Sequence, residues 1–215
     1  MKWERRMKKL LLKILLTVAL LLSFQQTTNA AKIMNPVASI NKNVGYVVFD
    51  LETTGLSPFK DEIIEIGAVK VDENGRIIET FTTLVKPAKP VTEFIQNLTG
   101  ISNEMLTDAP SIYIALPRFA VFAGESILVG HNVTFDIAFV QQKAKIYKDI
   151  KLLNPYVDTL SLTRNVYPYL KSYKLQDLIK EFDLKTYAAH RALADVVATQ
   201  QLYELLKTNI KRNNL

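Results

Sequence analysis

The sequence predicts an α/β domain around a mixed five-stranded sheet, and three observations carry that expectation. Asn74-Gly75 separates two runs rich in Ile and Val, Glu62–Val71 and Ile77–Val85, which is a short-range signal for an antiparallel hairpin. Ile127-Leu128-Val129-Gly130 is short and wholly apolar, as a strand covered on both faces should be. Through the second half of the chain, segments with helical spacing alternate with such short runs.

Taken in order, the first strand is Tyr46-Val47-Val48-Phe49, running into Asp50-Leu51-Glu52 and broken by Gly55-Leu56-Ser57-Pro58. With the two runs of the hairpin it predicts an antiparallel unit of three strands, ended by Lys86–Pro90 with its two prolines. Thr92–Leu98 reads as a short helix stopped by Gly100, and Pro110 as the first helical residue of the next. In that helix Ile112, Ala115, Leu116, Phe119 and Phe122 keep one face as far as Gly124. Phe135–Tyr147 predicts a helix with Ile137, Val140, Ala144 and Tyr147 on one side, and Tyr156-Val157-Asp158 a brief fifth strand. Leu175, Leu178, Ile179 and Phe182 mark an amphipathic helix, and a last helix spans about Arg191 to Lys207.

The 215 residues suffice for one sizeable core, and with 48% apolar and 22% charged residues the balance is that of a soluble globular chain. No cysteine occurs, which excludes disulfides, thiolate nucleophiles and cysteine–zinc sites. His131 and His190 are the two histidines, too few for a histidine-built metal site. The net charge of +6 does not signal a polyanion partner, because residues 1–30 hold six cations and one acid, leaving +1 for the rest.

Residues 1–30 read as a leader. A basic stretch precedes the apolar run Ile14–Phe24, and Thr28 and Ala30 stand at −3 and −1 of a cleavage site, the pattern of a secretory signal peptide. As a helix the apolar run reaches about 16 Å, well short of a ~30 Å bilayer core, so no stable membrane span is expected. The expected plan is leader 1–30, linker 31–43 and folded domain 44–210, exported or retained at a surface. An uncleaved interfacial anchor is the alternative, as is a start at Met7 or at Met34, the last leaving a cytoplasmic protein.

Three acidic motifs stand out. Asp50 and Glu52 are two apart on a strand and share a face, where their repulsion is relieved either by a divalent cation or by solvation at a strand end. Asp136 follows the apolar strand in His131-Asn132-Val133-Thr134-Phe135-Asp136, with Thr134 as the expected N-cap. It serves as a ligand or as a first-turn acid favoured by the macrodipole. Asp195, within His190-Arg191-Ala192-Leu193-Ala194-Asp195, is flanked by Ala and Val and needs a partner, since unpaired burial is costly. His190 by itself reads equally as a polar cap.

In order and spacing, Asp-x-Glu, His-Asn-x-x-Phe-Asp and His-x-x-x-x-Asp resemble the DEDDh exonucleases, in particular the proofreading exonuclease subunit or domain of bacterial replicative DNA polymerases. The resemblance covers about residues 44–206 and includes Asp61–Val69, Leu98-Thr99-Gly100-Ile101 and Tyr173–Leu178, with no expected catalytic position substituted. It implies a ribonuclease-H-like fold. It also implies that Asp50, Glu52 and Asp195 hold one metal ion and that Asp50 and, through water, Asp136 hold a second. The ions would be Mg²⁺, with Mn²⁺ as substitute. His190 would be the general base. Thr53, Thr54, Gly55 and Leu56 would line the 3′-terminal nucleotide pocket, bordered by His131, Asn132 and Phe135.

Chemistry agrees with that implication. Two cations about 3.5–4 Å apart can clamp the attacking and leaving oxygens of a phosphodiester, and an imidazole titrating near neutral pH suits a general base. The expected activity is 3′-to-5′ exonucleolytic release of nucleoside 5′-monophosphates from a single-stranded or frayed 3′ end, DNA being favoured over RNA. A polymerase partner is expected if the protein stays in the cytoplasm. The alternatives are a catalytically silent nucleic-acid-binding or docking module, an RNA-directed exonuclease, and an endonuclease.

Overall fold

Alternation along the first strand, β1 (Val44–Thr53), sorts its side chains onto two faces. Val47, Phe49 and Leu51 enter one apolar cluster, whereas Tyr46 and Val48 enter another on the opposite side. Asp50 and Glu52 continue the row of Tyr46 and Val48, so the period-2 rule alone decides which face the carboxylates share. The computed structural model describes residues 44–146, 150, 152–186 and 191–213, all within one unit running from Asn43 to Leu215. The leader, the linker, Tyr147 and His190 lie outside the described residues.

The sheet has the order β3-β2-β1-β4-β5, with β2 (Ile63–Asp72), β3 (Ile77–Leu84), β4 (Leu128–Gly130) and β5 (Tyr156–Asp158). β1, β2 and β3 pair antiparallel, while β4 joins β1 and β5 joins β4 in parallel. The β2–β3 turn is closed at Gly75, whose φ of +78° suits a residue without Cβ. Asp72 accepts the backbone N–H groups of Asn74 and Arg76 across it.

Seven helices surround the sheet among the described residues: α1 (Glu93–Thr99), α2 (Asn103–Leu106), α3 (Ile112–Ala123), α4 (Thr134–Ala144), α5 (Thr159–Val166), α6 (Leu175–Glu181) and α7 (Ala192–Asn213). Thr92 caps α1 and left-handed Gly100 ends it. Ala115, Leu116 and Phe119 of α3 and Phe139 and Val140 of α4 bury against Val47, Phe49 and Ile66. Each of the larger side chains contributes roughly 1.5–3 kcal/mol by burial. α7 lies across the other face, with Val196 among Tyr46, Val48, Val69 and Val129.

Two expectations about helix starts are corrected. Pro110 is not helical: its carbonyl accepts the Lys86 N–H, Lys86 bridges to Ser111, and Ser111 becomes the N-cap of α3. Thr134 is not the N-cap of α4 but its first residue, following Val133, which gives no side-chain cap. Capping comes instead from a distant residue, since Asp158 Oδ1 accepts the N–H groups of Asn132 at 2.8 Å and Val133 at 3.3 Å. The same carboxylate caps α5, a helix that the apolar spacing does not reveal. Nor does it reveal α2, a single turn capped by Ser102.

Candidate active site

β1 and β4 run parallel, and the residues of interest gather at and just past the carboxyl-terminal ends of these strands, the usual place for a site in such a sheet. The β1–β4 pairing covers Val47 and Val48 and then stops. Leu51 N–H, past that point, donates instead to Asp136 Oδ1 at 3.2 Å, which fixes the buried Asp136 side chain beside the strand end. α7 brings Asp195 from the opposite face. Oxygens of Asp50, Glu52 and Asp195 all lie within 4.8 Å of one another. Asp136 is not part of that trio. It sits close enough for its charge to act on Asp50.

Two features let α7 approach. Gly67 pairs with Asp50 in register, and a Cβ there would meet the backbone of Ala192 and Leu193 at 2.7 Å. Beside it on β2, the buried Glu65 takes a fork of hydrogen bonds from Arg191, Nη2 to Oε1 at 2.7 Å and Nε to Oε2 at 3.1 Å. Glu65 Oε2 also accepts the Ala192 N–H at 3.1 Å, placing a negative charge at the start of α7. From α6, Gln176 Nε2 donates to Asp195 Oδ1 at 3.0 Å and orients that carboxylate. Glu65, Gln176 and Asp158 are functional supports that sequence reasoning misses. A buried-pattern strand interrupted by Glu, Glu62-Ile-Ile-Glu65-Ile, is the available signal for the first.

The electrostatics follow from crowding. Burial, then the negative charges of Asp136, Glu52, Asp195 and Glu65, raise Asp50 well above the usual carboxylate range. Glu52 is pushed up to about 8 by burial and by Asp195 and Glu65, with Arg191 opposing. Burial also raises Asp136, although the Leu51 N–H favours its ionised form. Carboxylates so placed either hold protons or hold a cation, and an oxygen-only set of this kind fits a hard divalent ion.

The remaining predicted residues divide into support and surface. Thr53 Oγ1 donates to the Gly55 carbonyl at 2.7 Å, and Thr54 Oγ1 accepts the Glu62 N–H at 2.9 Å, so both hydroxyls order the loop after β1. That loop presents Leu56, 85% exposed, to solvent beside the acidic cluster. Gly55 has no room for a side chain, since a Cβ would meet the Asp61 carboxylate at 2.5–2.7 Å. Phe135 is half-buried, its ring 4.9 Å from that of Phe139. Asn132 is exposed and left-handed at φ 61°, a conformation Asn tolerates and one that concentrates at functional sites. His131 has both ring nitrogens engaged, Nε2 with the Tyr173 carbonyl at 2.8 Å and Nδ1 with Thr159 Oγ1 at 3.0 Å. A carbonyl only accepts, so Nε2 carries the proton, and burial lowers the pKa of the ring. His131 thus ties the end of β4 to α5 and to the segment before α6.

This fold and acidic cluster define a nuclease-type hydrolase. The family model described as "Exonuclease" matches residues 47–203, and the chain belongs to that family of hydrolytic exonucleases. It is 44% identical over 158 residues to the DNA polymerase III subunit epsilon of Aquifex aeolicus, covering 74% of this chain and 78% of that one. It is 44% identical over 163 residues to the PolC-type DNA polymerase III of Bacillus subtilis, covering 75% of this chain and 11% of the polymerase. The chain therefore spans about a tenth of the length of its PolC-type relatives. Among solved structures, exonuclease X in complex with 5′-overhanging duplex DNA matches with TM-score 0.63 at 25% identity, covering 79% of this chain and 93% of that one. E. coli exonuclease I in complex with a dT13 oligonucleotide shares the fold, with TM-score 0.69 at 23% identity, covering 78% of this chain and 42% of that one.

Proposed function

We propose that this protein is a divalent-metal-dependent 3′-to-5′ exonuclease that acts on single-stranded or frayed DNA ends and releases nucleoside 5′-monophosphates. The observation that carries this reading is the convergence of Asp50, Glu52 and Asp195, with Asp136 at the adjoining strand end. Asp50, Glu52 and Asp195 would hold one cation and Asp50 with Asp136 a second, Mg²⁺ being the natural ion for such oxygens and Mn²⁺ its substitute. When bound, such ions polarise the phosphoryl group and acidify water. The protein's own residues do the rest. Glu65 and Arg191 hold α7 so that Asp195 faces β1, and Gln176 aims its carboxylate. His190, immediately before Arg191, is placed in sequence to take the proton of the attacking water. The Thr53–Leu56 loop offers backbone and an exposed apolar side chain to the terminal nucleotide, with Phe135 as a further apolar wall.

DNA is favoured because one relative is a DNA polymerase III epsilon subunit and one structural neighbour was solved on DNA. A polymerase partner accords with those relatives, whereas the leader-like residues 1–30 favour a secreted or surface enzyme that degrades external nucleic acid. Among the described residues no helix is long and apolar enough to cross a membrane. The test is incubation of 5′-labelled single-stranded DNA, its RNA counterpart and a circular DNA with protein and Mg²⁺. The expected result is a ladder shortening from the 3′ end of the linear DNA, abolished by chelator and by Asp50→Ala. Cleavage of the circle, or activity persisting in chelator, overturns the reading.

A further inference from the structure

A cleft of about 560 Å³ opens beside the turn that leads into α4, and His131 and Asn132 form its near wall. Its charged lining residues are Arg164 on α5 and Lys171 and Lys174 in the segment before α6, with no Asp or Glu among the lining. All three cations are exposed, and none is in an ion pair among the described residues. Arg164 lies over the Tyr173 ring at 5.5 Å, which presents its guanidinium along the cleft. This concentration is out of proportion to the +1 net charge of the chain after residue 30. His131 ties two walls of the cleft together, bonding at once to Thr159 of α5 and to the Tyr173 backbone, and it stands in the same motif as Asp136.

We propose that this cleft binds the phosphodiester backbone of the strand upstream of the scissile bond, with Arg164, Lys171 and Lys174 contacting successive phosphates. The proposal rests on the exonuclease reading and deepens it. The acidic cluster repels a polyanion, so a substrate strand needs cations nearby to hold it after its terminal nucleotide has entered. Unpaired Lys and Arg along a cleft supply that hold with no sequence preference, and their grip on phosphate weakens as salt rises.

The experiment separates the cleft from catalysis with two readouts. Hydrolysis of the p-nitrophenyl ester of thymidine 5′-monophosphate with Mg²⁺ reads the acidic cluster alone, since that ester is too small to reach the cleft. Binding of a fluorescent twelve-nucleotide oligothymidylate in chelator, by anisotropy between about 50 and 200 mM salt, reads the cleft without cleavage. The Lys171→Gln/Lys174→Gln variant, and the same variant with Arg164→Gln, should hydrolyse the ester as the wild type does. They should bind the oligonucleotide about tenfold more weakly at low salt, with a log–log salt slope shallower by about 0.7 for each phosphate no longer neutralised. Oligonucleotide binding and slope equal to wild type overturn the proposal. Failure of the wild type to hydrolyse the ester strikes the catalytic reading and leaves the binding arm to decide the cleft. If the triple variant is destabilised, the surface charge reversal Lys171→Glu takes its place, with weakened binding expected and unchanged binding fatal to the proposal.

Discussion

Arg191 Nη2 donates to Glu65 Oε1 at 2.7 Å, joining residues 126 positions apart and fastening the start of α7 to β2. Glu65 is 2% exposed, and its register partner is Glu52, so one buried carboxylate both anchors the helix and presses on the acidic cluster. Breaking a buried pair from one side leaves an uncompensated charge and costs about 3–5 kcal/mol. Arg191→Met should therefore lower stability by an amount in that range, less where water reaches the partly exposed guanidinium, and should lower activity further by releasing Asp195. Chemical denaturation read beside kcat checks this; full activity in a stably folded Arg191→Met would show that the clamp does not position α7.

Gly67 leaves the space that α7 fills. A Cβ there, 2.7 Å from the backbone of Ala192 and Leu193, forces helix or strand to shift. Overpacking of this sort typically costs about 1–3 kcal/mol. Gly67→Ala should lose stability in that range and bind Mg²⁺ more weakly, by isothermal titration, because Asp195 moves away from Asp50. Unaltered metal affinity would separate the packing at Gly67 from the site.

Asp136→Asn tests the fourth carboxylate without removing the hydrogen bond that seats it, since the amide oxygen can still accept the Leu51 N–H. Removal of a carboxyl whose ionisation burial disfavours should leave the metal-free protein as stable as wild type or more so. On the proposed two-cation reading, kcat should fall by about 10³-fold or more, an amount corresponding to several kcal/mol of transition-state stabilisation. Thermal unfolding and single-turnover cleavage measure the two halves; an active Asp136→Asn would remove this residue from the chemistry.

The metal-free protein should weaken as pH rises from about 4.5 to 8, the interval between the unfolded and folded values of Glu52. Glu52 is raised from 4.5 to about 8 on folding, so the folded state holds a proton that the unfolded state has released. Stability from that proton is fully present below about 4.5 and is lost as pH climbs through the folded value. Asp50 and Asp136 shift the same way, while His131, lowered by burial, works in the opposite sense as pH passes its ordinary value of 6.5. The unfolding temperature should fall by about 5 °C or more across this window, Glu52→Gln should flatten the fall, and Mg²⁺ should raise it more at the alkaline end than at the acid end. A flat profile in the absence of metal would mean that the carboxylates do not repel as their packing requires.

Much is legible in the sequence. The period-2 rule puts Asp50 and Glu52 on one face of a strand, and the Asn74-Gly75 turn, the apolar run before Gly130 and the spacing within the last helix each declare an element through local chemistry. Pattern also nominates Asp136, which follows an apolar strand at a strand-to-helix turn, and Asp195, because an acid flanked by Ala and Val is unusual enough to notice. Helix starts are less legible. Pro110 and Thr134 look like a first residue and a cap, yet Ser111 and, from across the fold, Asp158 take those roles. A cap borrowed from another element leaves no trace in the segment that it caps.

What tertiary structure alone decides is which groups support the site. Glu65 beneath α7, Gln176 against Asp195, the room at Gly67, both partners of His131 and the row of cations along its cleft all depend on packing between elements far apart in the chain. Local sequence sets the direction in which a side chain leaves its own strand or helix. The packing of one face against another sets what it meets, and the free energy of a buried charge depends on that meeting.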